Sequence, residues 1–230
     1  MPNASHHRQG IHASPRLKVC CISSLEEARI AVAAGADAIG LVSSMPSGPG
    51  VIAESLIAEI AASTPPPVAT FLLTSLTDAA AIAEQYARCR TTTIQLVDHV
   101  AADELIRVRR FLPGVKLVQV IHVRGPSSVG EAIAASSLAD ALLLDSGDPS
   151  AAVKELGGTG RVHDWSVSAQ ITSAVAKPVF LAGGLTPGNV RSAISAVRPF
   201  GLDICSGVRE DGGLSASKLR AFVTAAQSGG

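Results

Sequence analysis

The 230 residues are 47% hydrophobic, 17% charged and 3% aromatic, which excludes a disordered chain, since disorder needs few apolar residues and high net charge. Nineteen basic residues offset nineteen acidic ones, so no basic surface points to nucleic acid. No apolar run approaches the roughly 18–20 residues of a membrane span, and four cysteines, two of them adjacent, suit a reducing cytoplasm better than a disulfide framework.

Residues 1–15 (MPNASHHRQGIHASP) are polar, aperiodic and end in proline, and read as a mobile extension without the apolar core of a secretory signal. His6, His7 and His12 lack cysteine or carboxylate partners, so no metal site is expected there. From residue 16 to 230 a regular alternation begins. Short aliphatic runs occur at LKVCCI (17–22), DAIGLV (37–42), PVATFLL (67–73), TTIQLV (92–97), VKLVQVI (115–121), DALLLD (140–145), PVFLAG (178–183) and GLDIC (201–205). Such runs, bounded by Gly, Pro, Ser or Asp, are the mark of parallel strands buried on both faces. Between and after them lie eight helical stretches, from LEEARIAVAAG, with acids in its first turn and glycine past its end, to SASKLRAFVTAAQ. Eight strand–helix units without a linker predict an α/β fold of one domain, a closed (β/α)8 barrel of parallel strands, with an open doubly wound sheet as the rival.

A parallel barrel binds ligands at the carboxyl ends of its strands. That rule selects Cys20 and Cys21, Ser43 to Gly50, Asp98 and His99, His122 and Arg124, Asp145, Gly183 and Gly184, and Ser206 and Gly207. LAGGL before TPGNV, and DICSGV before REDGGLSAS, offer backbone N–H groups and a helix N-terminus to a phosphate, or else make tight turns. Alternation puts Lys18 and Cys20 on one face of the first strand and sends Cys21 toward the helices. Lys18 then faces the interior and requires an ion-pair partner. From spacing alone Cys20 is a buried inert thiol more readily than a base, and Cys89 and Cys205 are packing residues. Asp145 ends an apolar strand, where it either caps or works on a substrate. GGTGRVHDW (157–165) fills the longest gap between strands, and Asp164 is a candidate N-cap for the next helix.

KVCCISSLEEARIAVAAGADAIGLV, LLLDS, GGTGRVHDWS, PVFLAGGLTPGNVRSAI and AVRPFGLDICSGVRE resemble, in order and across residues 17–227, the blocks of the phosphoribosylanthranilate isomerase family of tryptophan biosynthesis. The resemblance implies a (β/α)8 barrel that performs the Amadori rearrangement of N-(5-phosphoribosyl)anthranilate without metal or organic cofactor. It implies Asp145 as general acid and Cys20 as general base. Gly183, Gly184, Ser206 and Gly207 match its phosphate site, and Asp203 a carboxylate near the substrate amine. The partner is a small phosphoribosyl substrate, neither nucleic acid nor membrane, and members are monomers or homodimers. This chain departs from the pattern where K-x-C-G reads KVCC, where S-x-R after strand two becomes MPSGPGVIA with no arginine, and where Q-L-H-G reads Gln95-Leu96-Val97-Asp98. His122 and Arg124 are the candidate substitutes for the cation that holds the anthranilate carboxylate. A diverged relative with another aglycone, or a barrel that only binds a phosphorylated ligand, are the alternatives.

Overall fold

A computed structural model describes residues 14–147, 160 and 162–228. Eight parallel strands close into a barrel in sequence order. They are β1 (Arg16–Val19), β2 (Ala38–Val42), β3 (Ala69–Thr74), β4 (Thr93–Leu96), β5 (Lys116–His122), β6 (Ala141–Asp145), β7 (Val179–Leu181) and β8 (Gly201–Ile204). Helices α1 (Leu25–Ala33), α2 (Glu54–Ser63), α3 (Ala79–Cys89), α4 (Ala102–Phe111), α5 (Ser127–Ser136), α6 (Trp165–Ala174), α7 (Val190–Val197) and α8 (Ala216–Gln227) follow the strands in turn. The seam joins the first strand to the last, Lys18 lying in register with Asp203. The predicted single-domain barrel is the observed architecture. Of the expected extension, residues 1–13 lie outside the described residues.

Strand alternation sorts the core into two layers. One set, including Val42, Phe71, Val120, Leu143 and Phe180, fills the barrel interior. The opposite set, including Val19, Ile39, Leu72, Leu142 and Leu202, packs beneath the helices. Polar anchors help start several helices: Ser24 accepts from the Glu27 N–H at 3.1 Å, Asp78 from Ala81 at 2.9 Å and Asp164 from Ser166 at 2.8 Å. The capping role expected of Asp164 is thus present. At the amino-terminal mouth, the aspartates that open two strand runs each clamp the preceding strand. Asp37 accepts from the Leu17 N–H and Asp140 from the Leu117 N–H, both at 2.8 Å.

Two local differences from the sequence reading matter. The first strand ends at Val19, short of the expected residue 22, because Cys21 takes a left-handed conformation (φ 60°) that ends the ladder. After β8, the glycine-rich stretch read as loop forms a 3₁₀ turn (Ser206–Val208) and a small hairpin, β9 (Arg209–Glu210) with β10 (Gly213–Leu214). Glu27 holds that hairpin to α1, accepting from the Leu214 N–H at 2.8 Å and pairing with Arg209 at 3.2 Å.

Candidate active site

Inside β1 and β8 a fully buried ammonium sits at the base of the site. Lys18 Nζ donates to Asp203 Oδ1 at 2.8 Å and to Cys20 Sγ at 3.4 Å, and lies 5.3 Å from the centre of the Phe71 ring. Burial alone would discharge it, but the Asp203 carboxylate and the Cys20 sulfur outweigh that and hold Lys18 above its ordinary range. The ion-pair partner that an inward Lys18 required is therefore Asp203. Space for this cluster comes from Gly40 on β2, where a Cβ would stand 2.7 Å from Cys20 Sγ and 3.1 Å from Lys18 Nζ.

Above this layer, at the carboxyl ends of the strands, opens a cavity. Cys20, Asp145, Asp203, Gly183, Gly184 and Ser206 all line it, together with Gln95 and the loop Ser47–Gly48–Pro49. Asp145 ends β6 in register with His122 and is almost wholly buried. Burial pushes its carboxyl up, against the Ser146 N–H (2.7 Å) and the neighbouring His122, which both favour the ionised form; Asp203 pushes in the same direction as burial. A carboxyl kept protonated beyond the usual carboxylate range can deliver a proton to a bound ligand.

Next to Asp145, Gly183 (φ 82°) and Gly184 (φ 63°) turn the chain out of β7 in a conformation that favours glycine. Asn189 ties this turn together, accepting from the Thr186 N–H at 2.8 Å and donating to the Gly184 carbonyl at 2.9 Å. Gly207 does not line the cavity. A Cβ there would stand 2.1 Å from the Leu185 carbonyl oxygen, so this glycine is required for the β7 and β8 loops to touch. Together these loops leave Ser206 and the two β7 glycines facing one cavity.

Three expectations are corrected. Cys21 does not turn toward the helices: its left-handed backbone breaks the alternation, and its side chain lines the cavity. Its Cβ also occupies the space that a Cβ on Gly50 would enter, 2.6 Å away, so the β2 loop packs directly on it. Cys205, expected as a packing residue, lines the cavity too and meets Cys21 across 2.7 Å between the sulfurs. Arg124 and His122 do not line the cavity. Arg124 is exposed beyond the end of β5, and buried His122 makes a hydrogen bond between Nε2 and the Val97 carbonyl at 2.9 Å. Asp98 and His99 also stand outside the cavity, and Cys89 is a packing residue, as expected.

Two residues near the site escaped the sequence reading. Arg209 donates to the Cys21 carbonyl as well as to Glu27, holding the β1 turn from behind. Its signal was present, since SGVE of the resembling blocks reads SGVRE here. His163 is pushed down to about 4 by burial, with Asp164 opposing, and its Nε2 meets Ser168 Oγ at 2.7 Å. Its Nδ1 and Asp145 Oδ1 lie 3.1 and 3.2 Å from the Cβ position of Gly183. Of the GGTGRVHDW stretch, Gly160 lines the cavity, while residues 157–159 and 161 lie outside the described residues.

Comparison with known proteins agrees with this geometry. Residues 17–225 match the family described as N-(5'phosphoribosyl)anthranilate (PRA) isomerase. N-(5'-phosphoribosyl)anthranilate isomerase 2 of Methanosarcina mazei is 39% identical over 199 residues, covering 86% of this chain and 87% of the relative. The phosphoribosyl anthranilate isomerase structure from Thermococcus kodakaraensis superposes with a TM-score of 0.78 at 26% identity, over 94% of this chain and all of that one. A phosphoribosyl anthranilate isomerase crystallised with reduced 1-(o-carboxyphenylamino)-1-deoxyribulose 5-phosphate superposes with a TM-score of 0.75 at 26% identity, over 93% of this chain and 98% of that one. With a barrel of the same order and a family match over nearly its whole length, this chain belongs to the phosphoribosylanthranilate isomerase family.

Proposed function

We propose that the chain converts N-(5-phosphoribosyl)anthranilate to 1-(2-carboxyphenylamino)-1-deoxyribulose 5-phosphate, with Cys20 and Asp145 as the proton-transfer pair. Asp145 gives its proton to the furanose ring oxygen, and the C1–O bond opens to a protonated imine. Cys20, as thiolate, removes the proton from C2, leaving an enolamine that tautomerises to the ketone. The single observation that carries this reading is a sulfur and a raised-pKa carboxyl facing one cavity beside two glycine turns. Their strands stand three ladder steps apart around the barrel, β1–β8–β7–β6, so acid and base approach a bound sugar from different walls. The phosphate is assigned to the Gly183–Gly184 turn and Ser206, where glycine backbone admits an anion closely. Asp203, fixed by Lys18 on one oxygen, is assigned to the substrate amine.

Anthranilate fluorescence tests the proposal. Freshly made phosphoribosylanthranilate loses its signal as product forms, and the wild-type protein should accelerate that loss. Cys20→Ala and Asp145→Asn should each lower kcat/KM by about 10²–10⁴, the usual worth of a positioned proton-transfer group. Activity that survives both substitutions would reject the assignment of the pair.

A further inference from the structure

The cavity mouth holds a second thiol site that the isomerase chemistry does not use. Cys21 Sγ and Cys205 Sγ face each other at 2.7 Å, and both line the open cavity. Cys21 is a side chain in a left-handed backbone conformation, an arrangement that L residues with a Cβ adopt at a cost. Gly50 closes the space behind its Cβ and Arg209 holds its carbonyl, so the sulfur is directed at Cys205 from both sides. Cys20 is the other thiol beside Cys21, and its sulfur is also held by Lys18. Closing the contact to a disulfide bond needs a movement of only about 0.7 Å along the sulfur–sulfur line.

We propose that Cys21 and Cys205 form a dithiol site that reacts with low-molecular-weight disulfides of the oxidised-glutathione class. The Cys205 thiolate attacks one sulfur of the reagent, whose S–S bond breaks and releases a glutathione thiolate. Cys21 then gives up its proton and its sulfur attacks Cys205 Sγ, expelling the second glutathione. The two protons lost by the cysteines end on the two glutathione thiols, so one disulfide is reduced as another forms. Cys205 is suited to the first step. The hydrogen bond with Cys21 pulls its thiol down, burial opposes this, and the Arg209 charge assists. Cys21 is suited to the second, since its hydrogen bonds to Cys20 and Cys205, with burial, push its thiol up and keep it protonated until then. Cys89 is the internal contrast, wholly buried in the outer core and pushed up to about 11 by that burial. The site is independent of the isomerase reading, because its chemistry is read by mass and not by turnover.

The test exposes reduced protein to excess oxidised glutathione, alkylates the remaining thiols and maps tryptic peptides. The expected product has lost two hydrogens, keeps two alkylatable thiols and contains the Val19–Arg29 peptide joined to Ser192–Arg209. Cys20→Ser should retain the linked pair. Cys21→Ser should lose it and instead accumulate one glutathione on Cys205, because the resolving thiol is gone. A wild-type protein that keeps four alkylatable thiols, or a linked pair that disappears in Cys20→Ser, would overturn the proposal. Should Cys21→Ser fail to fold, the wild type and Cys20→Ser decide it alone.

Discussion

Asp145 shows how one side chain acquires a working protonation state from its surroundings. Burial, with Asp203 helping, raises its pKa, while the Ser146 N–H and His122 pull it down. The general acid proposed in Asp145 must be protonated to act, so turnover should be lost as pH rises through its pKa. His122 favours the ionised form, and removing it leaves Asp145 protonated to higher pH. His122→Gln should therefore shift the alkaline limb of the kcat/KM profile upward, leaving the cavity lining in place. A downward shift, or none, would detach His122 from the acid. That Cys20 and Asp145 share one cavity was legible from their positions at strand ends together with the family blocks. The direction of Cys21 was not, because it turns on one backbone angle that alternation cannot foresee.

At the scale of the elements, the strand ends divide labour. The carboxyl ends carry the cavity, and the amino ends carry clamps that hold register. Asp140, between α5 and β6, accepts from the Leu117 N–H at 2.8 Å and from Arg109 Nη2 at 2.7 Å, fastening α4 and β5 to the start of the next strand. Burial works against its charge, but these donors win and hold its carboxyl below the ordinary range. A depressed carboxylate stabilises the fold above its unfolded pKa, and that contribution disappears as pH falls through the folded value. Asp140→Ala should cost about 1–3 kcal/mol at neutral pH in urea unfolding, with the deficit shrinking below about pH 4. Equal stability of variant and wild type at pH 7 would show the clamp to be idle. The aspartates that open DAIGLV and DALLLD were visible in the sequence as strand boundaries. Their partners were not, because each lies about 20 residues or more away along the chain.

For the whole molecule, closure is decided where β1 meets β8. Lys18 and Asp203 form that seam's buried ion pair across a chain separation of 185 residues. Lys18→Met leaves Asp203 buried without its counter-ion and should destabilise by about 3–5 kcal/mol, while Lys18→Met with Asp203→Leu should recover much of the loss. If the double variant is no more stable than Lys18→Met, an unpaired charge is not the cause. The pair joins stability to the site, since the same ammonium that closes the barrel also donates to Cys20.

The sequence by itself determined the eight-fold alternation, the mouth at which the cavity would open and the inward side of the first strand. These follow from periodicity and boundary residues, which are local properties. It also showed Lys18 to need a partner, since a lone charge is not buried in a barrel. Only the tertiary structure decided that the partner is Asp203, that Arg124 stays outside the cavity and that Gly207 serves contact between loops. It likewise brought Cys21 against Cys205. The Lys18–Asp203 pair depends on the closure that sets β1 beside β8, the Cys21–Cys205 contact also on a single loop angle, and neither leaves a periodic trace along the chain.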